Sequence, residues 1–336
     1  MFHFASLSTT VCRRGAMASA AFLVAGAIAP AGDVLAQSKP DIRIATGRQG
    51  GAYYNMGAVI ADMLVRSNLV NSATAETSSG AIESARLAAK GTAQIAAMDN
   101  TWVVKAIAGE KPFQEKIKLT TVAPLGSWPL FFVTLADSPI KTVDDLKGRR
   151  ISVGARNSGM DNHARVLLQT LGLSYDDIKP MYLSFGPGGR AVKDGKAEAQ
   201  LQCCLPNGGM TELSELSKVR AVSYGDKLDK ITKAVSTYGV TTLKKGAFKG
   251  HDKDIPSISI LQGWMATESL PEETAYIFAK IVIANLDQMA KKALQFASVK
   301  QLIEKAKAEN SVKHLEMGAP LHPGALKAFK EAGILK

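Results

Sequence analysis

Gly47, Gly50 and Gly51 lie within five positions of one another and run straight into Tyr53 and Tyr54, the densest group of potential ligand-handling residues in this 336-residue chain. Glycines let a backbone turn sharply and bring its amides close to a guest. The alternating residues 42–45 predict a short strand before them, and the pattern from Ala52 predicts an amphipathic helix after them. The first N–H groups of such a helix have no internal partners and sit at the positive end of its dipole, so they suit a carboxylate or phosphate. Thr46 and Arg48 stand in the same turn, and Arg48 offers a charge-assisted bond to an acid. Taken alone, the cluster also fits a plain strand-to-helix turn, and Arg48 a solvated loop side chain.

Other polar loops add to the set. Ser79 and Gly80 form one turn, and Asp99 and Asn100 another. Trp128 lies in the stretch 126–129, Asn157, Ser158, Gly159 and Met160 form a fourth loop together with Arg156, a second arginine for an acid, and Asn207 a fifth. Serine and asparagine supply hydrogen bonds, and Gly159 permits close backbone approach. Ser158 also fits the cap of a helix starting near Asp161, a role compatible with binding. Asp99 suits either an amino group of a guest or the cap of a helix beginning at Trp102. Trp128 and the two tyrosines favour a guest that is partly apolar or planar.

Catalysis has less support. Beyond residue 36 the histidines His163, His251, His314 and His322 are scattered without metal-ligand spacing, and Ser158-Gly159 lacks a Gly-x-Ser-x-Gly elbow. His322, beside Pro323, reads as a structural hydrogen-bonding residue. The adjacent Cys203 and Cys204 give no zinc or Cys-x-x-Cys pattern. An oxidising compartment permits a vicinal disulfide there, but two small buried thiols at a strand end are the expectation. The chain carries 41 basic and 30 acidic residues, a formal net charge of +11, without a basic stripe interleaved with aromatics. Nucleic acid is therefore not an expected partner. The expectation is a binding protein with no catalytic residues, metal or cofactor.

Strands and helices must alternate to carry these loops. Strands are predicted at 42–45, 73–77, 93–98, 119–125, 131–135, 151–154, 181–183, 199–202, 219–223 and 257–266. Helices are predicted between most of them and through the remainder of the chain. That alternation implies a mostly parallel sheet covered on both faces, with loops at the carboxyl ends of its strands forming a ligand crevice. At the start, Arg13 and Arg14 precede an Ala-rich run, and Val34-Leu35-Ala36 ends in small residues before Gln37. This is the plan of a cleaved export signal over 1–36, by the general or the twin-arginine route, and it predicts a periplasmic protein.

In this order the residues resemble the TAXI family, solute receptors of tripartite ATP-independent periplasmic (TRAP) transporters. The resemblance rests on Thr46-Gly47 with Gly50-Gly51-Ala52-Tyr53-Tyr54, on Thr77 to Gly80 with Glu83 and Leu87, and on Lys141 to Gly154 followed by Ser158-Gly159. It rests also on Leu321-His322-Pro323-Gly324. It covers nearly all of the chain beyond the leader; the tyrosine pair and the C-terminal motif are its most specific parts. It implies an α/β, type II periplasmic-binding-protein-like fold of two lobes joined by a hinge. Lobe one would comprise 37–137 and 239–336, and lobe two 138–238. It further implies capture of a small solute, an organic acid such as a dicarboxylate or amino-acid-like molecule, and delivery to membrane permease subunits. Arg48 and Gln49 replace residues that are often small in the family, Met98-Asp99-Asn100 replaces a Gln-Ser-Asp type sequence, and Trp128 replaces a polar position. These departures argue against plain glutamate as the ligand, and Trp128 with the two tyrosines tilts the expectation toward a keto, hydroxy or aromatic acid. The alternatives are an ABC-transporter receptor for sulfonates or thiamine precursors, and an adaptor for a membrane sensor.

Overall fold

Strand β1 (Asp41–Ala45) buries Ile42 and Ile44 by simple alternation, and helix α1 (Ala52–Arg66) buries Met56, Ile60 and Leu64 at intervals of four. These are the first elements of a computed structural model that describes residues 38–336. The export signal read in 1–36 lies outside the described residues. Next come β2 (Ser72–Glu76), α2 (Ala81–Ala89), β3 (Ile95–Asp99) and α3 (Asn100–Ala108), followed by the 17-residue β4 (Leu119–Leu135).

The middle of the chain repeats the alternation on a smaller scale. It contains β5 (Arg150–Ser152), α4 (Gly159–Thr170), β6 (Lys179–Met181), α5 (Phe185–Lys193), β7 (Ala199–Gln202), α6 (Gly208–Leu216), β8 (Val219–Ala221) and α7 (Lys227–Ala234). The chain then returns through β9 (Tyr238–Leu243) and the long β10 (Ile255–Thr267). It finishes with α8 (Glu272–Ala284), α9 (Leu286–Lys292), α10 (Phe296–Glu309) and α11 (Pro323–Glu331). Helices α8 and α10 pack on β4, α11 packs on α8, and α8 also touches α1, so both ends of the described chain cover the same half.

The strand order is β2-β1-β3-β10-β4-β7-β5-β6, with β8 beside β4 and β9 beside β10. Parallel triplets, β2-β1-β3 and β7-β5-β6, stand at the two ends, and antiparallel pairing of β10 with β4 joins them. The expectation of a mostly parallel sheet therefore holds for each end and fails at the centre. The expected strand break at 126–129 is also absent. Strand β4 runs through Gly126 and Pro129, which stand in register opposite Gln262 and Ser259, and the register shifts opposite Gln262/Gly263 and Trp264/Met265 fall at Leu125 and Val122 instead. Between Leu130 and Phe131 the partner of β4 changes from β10 to β7, so one continuous strand serves both α/β halves.

His322 takes the structural role read from sequence. Its Nδ1 accepts from the Gly324 amide at 3.3 Å, and its Nε2 reaches the Leu270 carbonyl at 3.0 Å, while burial pushes its pKa down.

Candidate functional site

Six helix N-termini open onto one cavity of about 370 Å³ between the two halves. The cap residues are Gly51 for α1, Gly80 for α2, Asp99 for α3, Ser158 for α4, Ser184 for α5 and Asn207 for α6. Asp99, Ser158 and Asn207 accept backbone N–H groups of their own helices through their side chains. Gly51, Gly80 and Ser184 do not, so the first amides of α1, α2 and α5 have no side-chain cap. The loops of the two halves approach across the cleft: a Cβ on Gly80 would be in ordinary contact with the Gly159 amide at 3.8 Å, and one on Gly208 with the Gly50 carbonyl at 3.6 Å. Gly80 has φ of 130°, a conformation that side chains rarely adopt.

Of the residues read from sequence, Gly47, Arg48, Gly50, Gly51 and Tyr53 line the cavity from one loop. Ser79, Gly80 and Asp99 line it from the next two, and Ser158, Gly159 and Met160 from across the cleft. Arg48 is exposed at the rim. Thr46 is buried behind the wall, its hydroxyl donating to the Glu76 carbonyl at 2.7 Å. Tyr54 is not in the wall. Asn100 turns away to donate to the Thr237 carbonyl at 2.7 Å. Trp128 is buried in β4 behind Tyr53, with ring centroids 6.1 Å apart, because its segment is strand and not loop. Asn157 instead faces a second groove with Glu83, Arg86 and Lys90. Asn207 serves the frame: it donates to the Cys203 carbonyl at 2.9 Å and accepts from the Met210 amide at 2.9 Å. Arg156 stacks over Tyr182 at 3.7 Å, away from the wall.

The cavity also includes residues that the sequence reading missed. His163 and Gln262 bring polar groups, and Phe185, Pro187 and Ile260 bring apolar surface. Helical spacing could have found His163, because it lies one turn beyond Gly159 and Met160 on the same face of α4. Gln262 was marked only as a lone amide within an apolar strand. Cys203 and Cys204 line the wall too, nearly fully buried and joined as a vicinal disulfide, which corrects the expectation of two thiols. In an extended strand adjacent side chains point to opposite faces; at Cys204 φ is 60°, which ends that alternation and lets the sulfurs meet.

The buried polar groups at the wall form two separate sets. The Tyr53 hydroxyl donates to Gln262 Oε1. Asp99 Oδ1 accepts the Thr101 amide at 3.1 Å, and its Oδ2 lies 3.4 Å from His163 Nε2. His163 Nδ1 is 2.6 Å from the Tyr238 hydroxyl. Burial first, and the charge of Asp99 second, hold both tyrosine hydroxyls well above the ordinary tyrosine range, so both remain protonated.

A sequence model of the NMT1-like family matches residues 44–333. Among solved structures, MatC from Rhodopseudomonas palustris with bound malate is 15% identical, aligned over 76% of this chain and 88% of that one, with a TM-score of 0.52. A protein from Bordetella bronchiseptica RB50 is 15% identical over 89% of this chain and 90% of that one, with a TM-score of 0.50. The periplasmic aliphatic sulphonate binding protein SsuA from Escherichia coli is also 15% identical, over 88% and 84%, with a TM-score of 0.46. At these identities the likeness is one of fold, the two-lobed α/β fold of periplasmic-binding-protein-type receptors.

Proposed function

The chain belongs to the NMT1-like family, and from that premise we propose that it is an extracytoplasmic solute-binding receptor for a small organic acid, serving a TRAP-type secondary transporter. The observation that carries this reading is the convergence of six helix N-termini on one cavity, three of them without side-chain caps. Such termini present N–H donors and positive dipole ends to an anion. The finer placement among TAXI receptors rests on the Tyr53-Tyr54 and Leu321-to-Gly324 motifs. Lobe one is proposed as 37–137 with 239–336, and lobe two as 138–238, supported by the partner change within β4 and the return at Tyr238. Closure about the connecting strands would sequester the acid from water. No helix among the described residues is long and apolar enough to cross a membrane. The proposed location is the periplasm, with permease subunits as partners.

A thermal-shift screen of the purified mature protein against organic acids, amino acids, sulfonates and neutral sugars tests the reading. Stabilisation by carboxylic acids is expected. A neutral sugar or a cation as the sole stabilising ligand overturns it, and a sulfonate as the sole hit transfers the protein to the ABC-type reading.

Two substitutions probe the acid's contacts. Arg48→Ala should weaken binding about tenfold at low salt, the lower end for a charge-assisted bond because this side chain is exposed. Affinity unchanged at both low and high salt would remove Arg48 from the site. Ser158→Ala deletes a cap whose oxygen accepts the Asp161 amide at 3.3 Å, costing about 1 kcal/mol. We expect a lower Tm together with a smaller acid-induced shift. A lower Tm with an undiminished shift would leave Ser158 as a cap alone.

A further inference from the structure

Gln262 is fully buried on β10, directly opposite Asp99 of β3 in the antiparallel register. Directly opposed residues project to the same face of a sheet with Cβ atoms about 5 Å apart, and both side chains reach the cavity. The amide is oriented from behind. The Tyr53 hydroxyl is a buried, protonated donor and takes Gln262 Oε1 as its acceptor, which turns the Nε2 amino group the other way. That Nε2 has no hydrogen-bond partner in the protein. Asp99 presents the complementary deficit. Its Oδ1 is occupied by the first turn of α3, while Oδ2 has only His163 Nε2 at 3.4 Å, too far for a good bond. The wall thus offers an unmet donor beside an under-used acceptor.

Resting on the acid-binding reading above, we propose that Gln262 and Asp99 together read a hydroxyl group, so that the solute is a hydroxy acid. Its carboxylate meets the helix N-termini. Its hydroxyl oxygen accepts from Gln262 Nε2 while its hydrogen is donated to Asp99. A keto oxygen can accept from Gln262 but sets lone pairs against the Asp99 carboxylate. An ammonium can donate to Asp99 but leaves the Gln262 N–H group buried without a partner. A hydroxyl satisfies both at once, and sites built to pair a hydroxyl discriminate strongly against analogues without it.

The test is calorimetric binding to the mature protein of two matched sets of acids. One is 2-hydroxyglutarate, 2-oxoglutarate, glutamate and glutarate; the other is phenyllactate, phenylpyruvate, phenylalanine and phenylpropionate. In whichever set binds, the hydroxy member should bind at least tenfold more tightly than its three counterparts. Gln262→Met, similar in shape but without the donor, should reduce the preference for hydroxy over unsubstituted acid to within about twofold. Asp99→Asn keeps a capping oxygen and should narrow the preference for hydroxy over keto acid. If the keto, amino or unsubstituted member of the wild-type set binds as tightly as the hydroxy member, the hydroxyl site is wrong and the acid receptor stands. If none of the eight acids binds while a sulfonate or sugar does, the acid reading falls and the hydroxyl site with it. Should either variant fail to fold, the wild-type comparison still decides.

Discussion

Gly209→Ala is expected to abolish acid-induced stabilisation and to lower the stability of the protein by about 1–3 kcal/mol. A Cβ at Gly209 would stand 2.6 Å from the Phe185 carbonyl carbon, 2.7 Å from the Gly186 nitrogen and 2.8 Å from the Phe185 oxygen. All three are backbone atoms at the start of α5, so no rotamer change relieves the overlap and one helix must retreat from the other. Both α5 and α6 open onto the cavity there, and the retreat would carry donors away from the solute. Gly186→Ala is the matched control for stability alone, because its Cβ would meet only Arg190 Nη1, at 3.6 Å, while Gly186 itself lines the cavity. The check is Tm with and without a stabilising acid for both variants. A Gly209→Ala protein that melts and binds like the parent would show that the two helix starts are not held in close contact.

Trp264→Ala should destabilise the protein more than any change in the cavity wall, by about 3–5 kcal/mol. Trp264 is completely buried on β10 and stands edge-on to Phe278 of α8 at 5.9 Å. It also backs Gly57 of α1, where a Cβ would lie 3.6 Å from the ring. One side chain therefore fills the space between the central strands and two helices, and truncation leaves a cavity that rigid neighbours cannot close. The indole N–H has no partner in the protein, so Trp264→Phe removes an unpaired donor and should cost distinctly less. For a chain of this length the alanine variant should melt roughly 4–8 °C lower. Denaturant midpoints for the two variants measure the difference, and equal losses would show that volume at this position is unimportant.

Much of the local structure was legible in the residues. The start of α1 at Ala52, the cap at Asp99 and the cap at Ser158 follow from glycine, aspartate and serine standing where a helix's first amides need partners. The same signals brought most of the cavity's loops into view, because loops at strand ends are where polar and glycine residues collect. Trp128 shows where that inference stops. Gly126 and Pro129 carry the composition of a turn, yet pairing with β10 from Leu119 to Leu130 outweighs that local preference and buries the Trp128 ring. Arg156 and Asn157 sit in a correctly placed loop but face away from the cavity, since side-chain direction depends on local backbone angles such as the φ of 61° at Asn157.

The α/β class, the helix starts and most of the order of elements were readable from the chain, although β9 went unseen and β4 was divided in two. These depend on residues a few positions apart, whose periodicity and capping chemistry are visible in the chain. Tertiary structure alone decided that β4 and β10 run antiparallel through the centre. It also set Gln262 opposite Asp99, placed His163 between Asp99 and the Tyr238 hydroxyl, and joined Cys203 to Cys204. The strand pairings depend on the register of segments far apart in sequence, which the packing of the whole sheet sets, whereas the disulfide depends on the positive φ at Cys204.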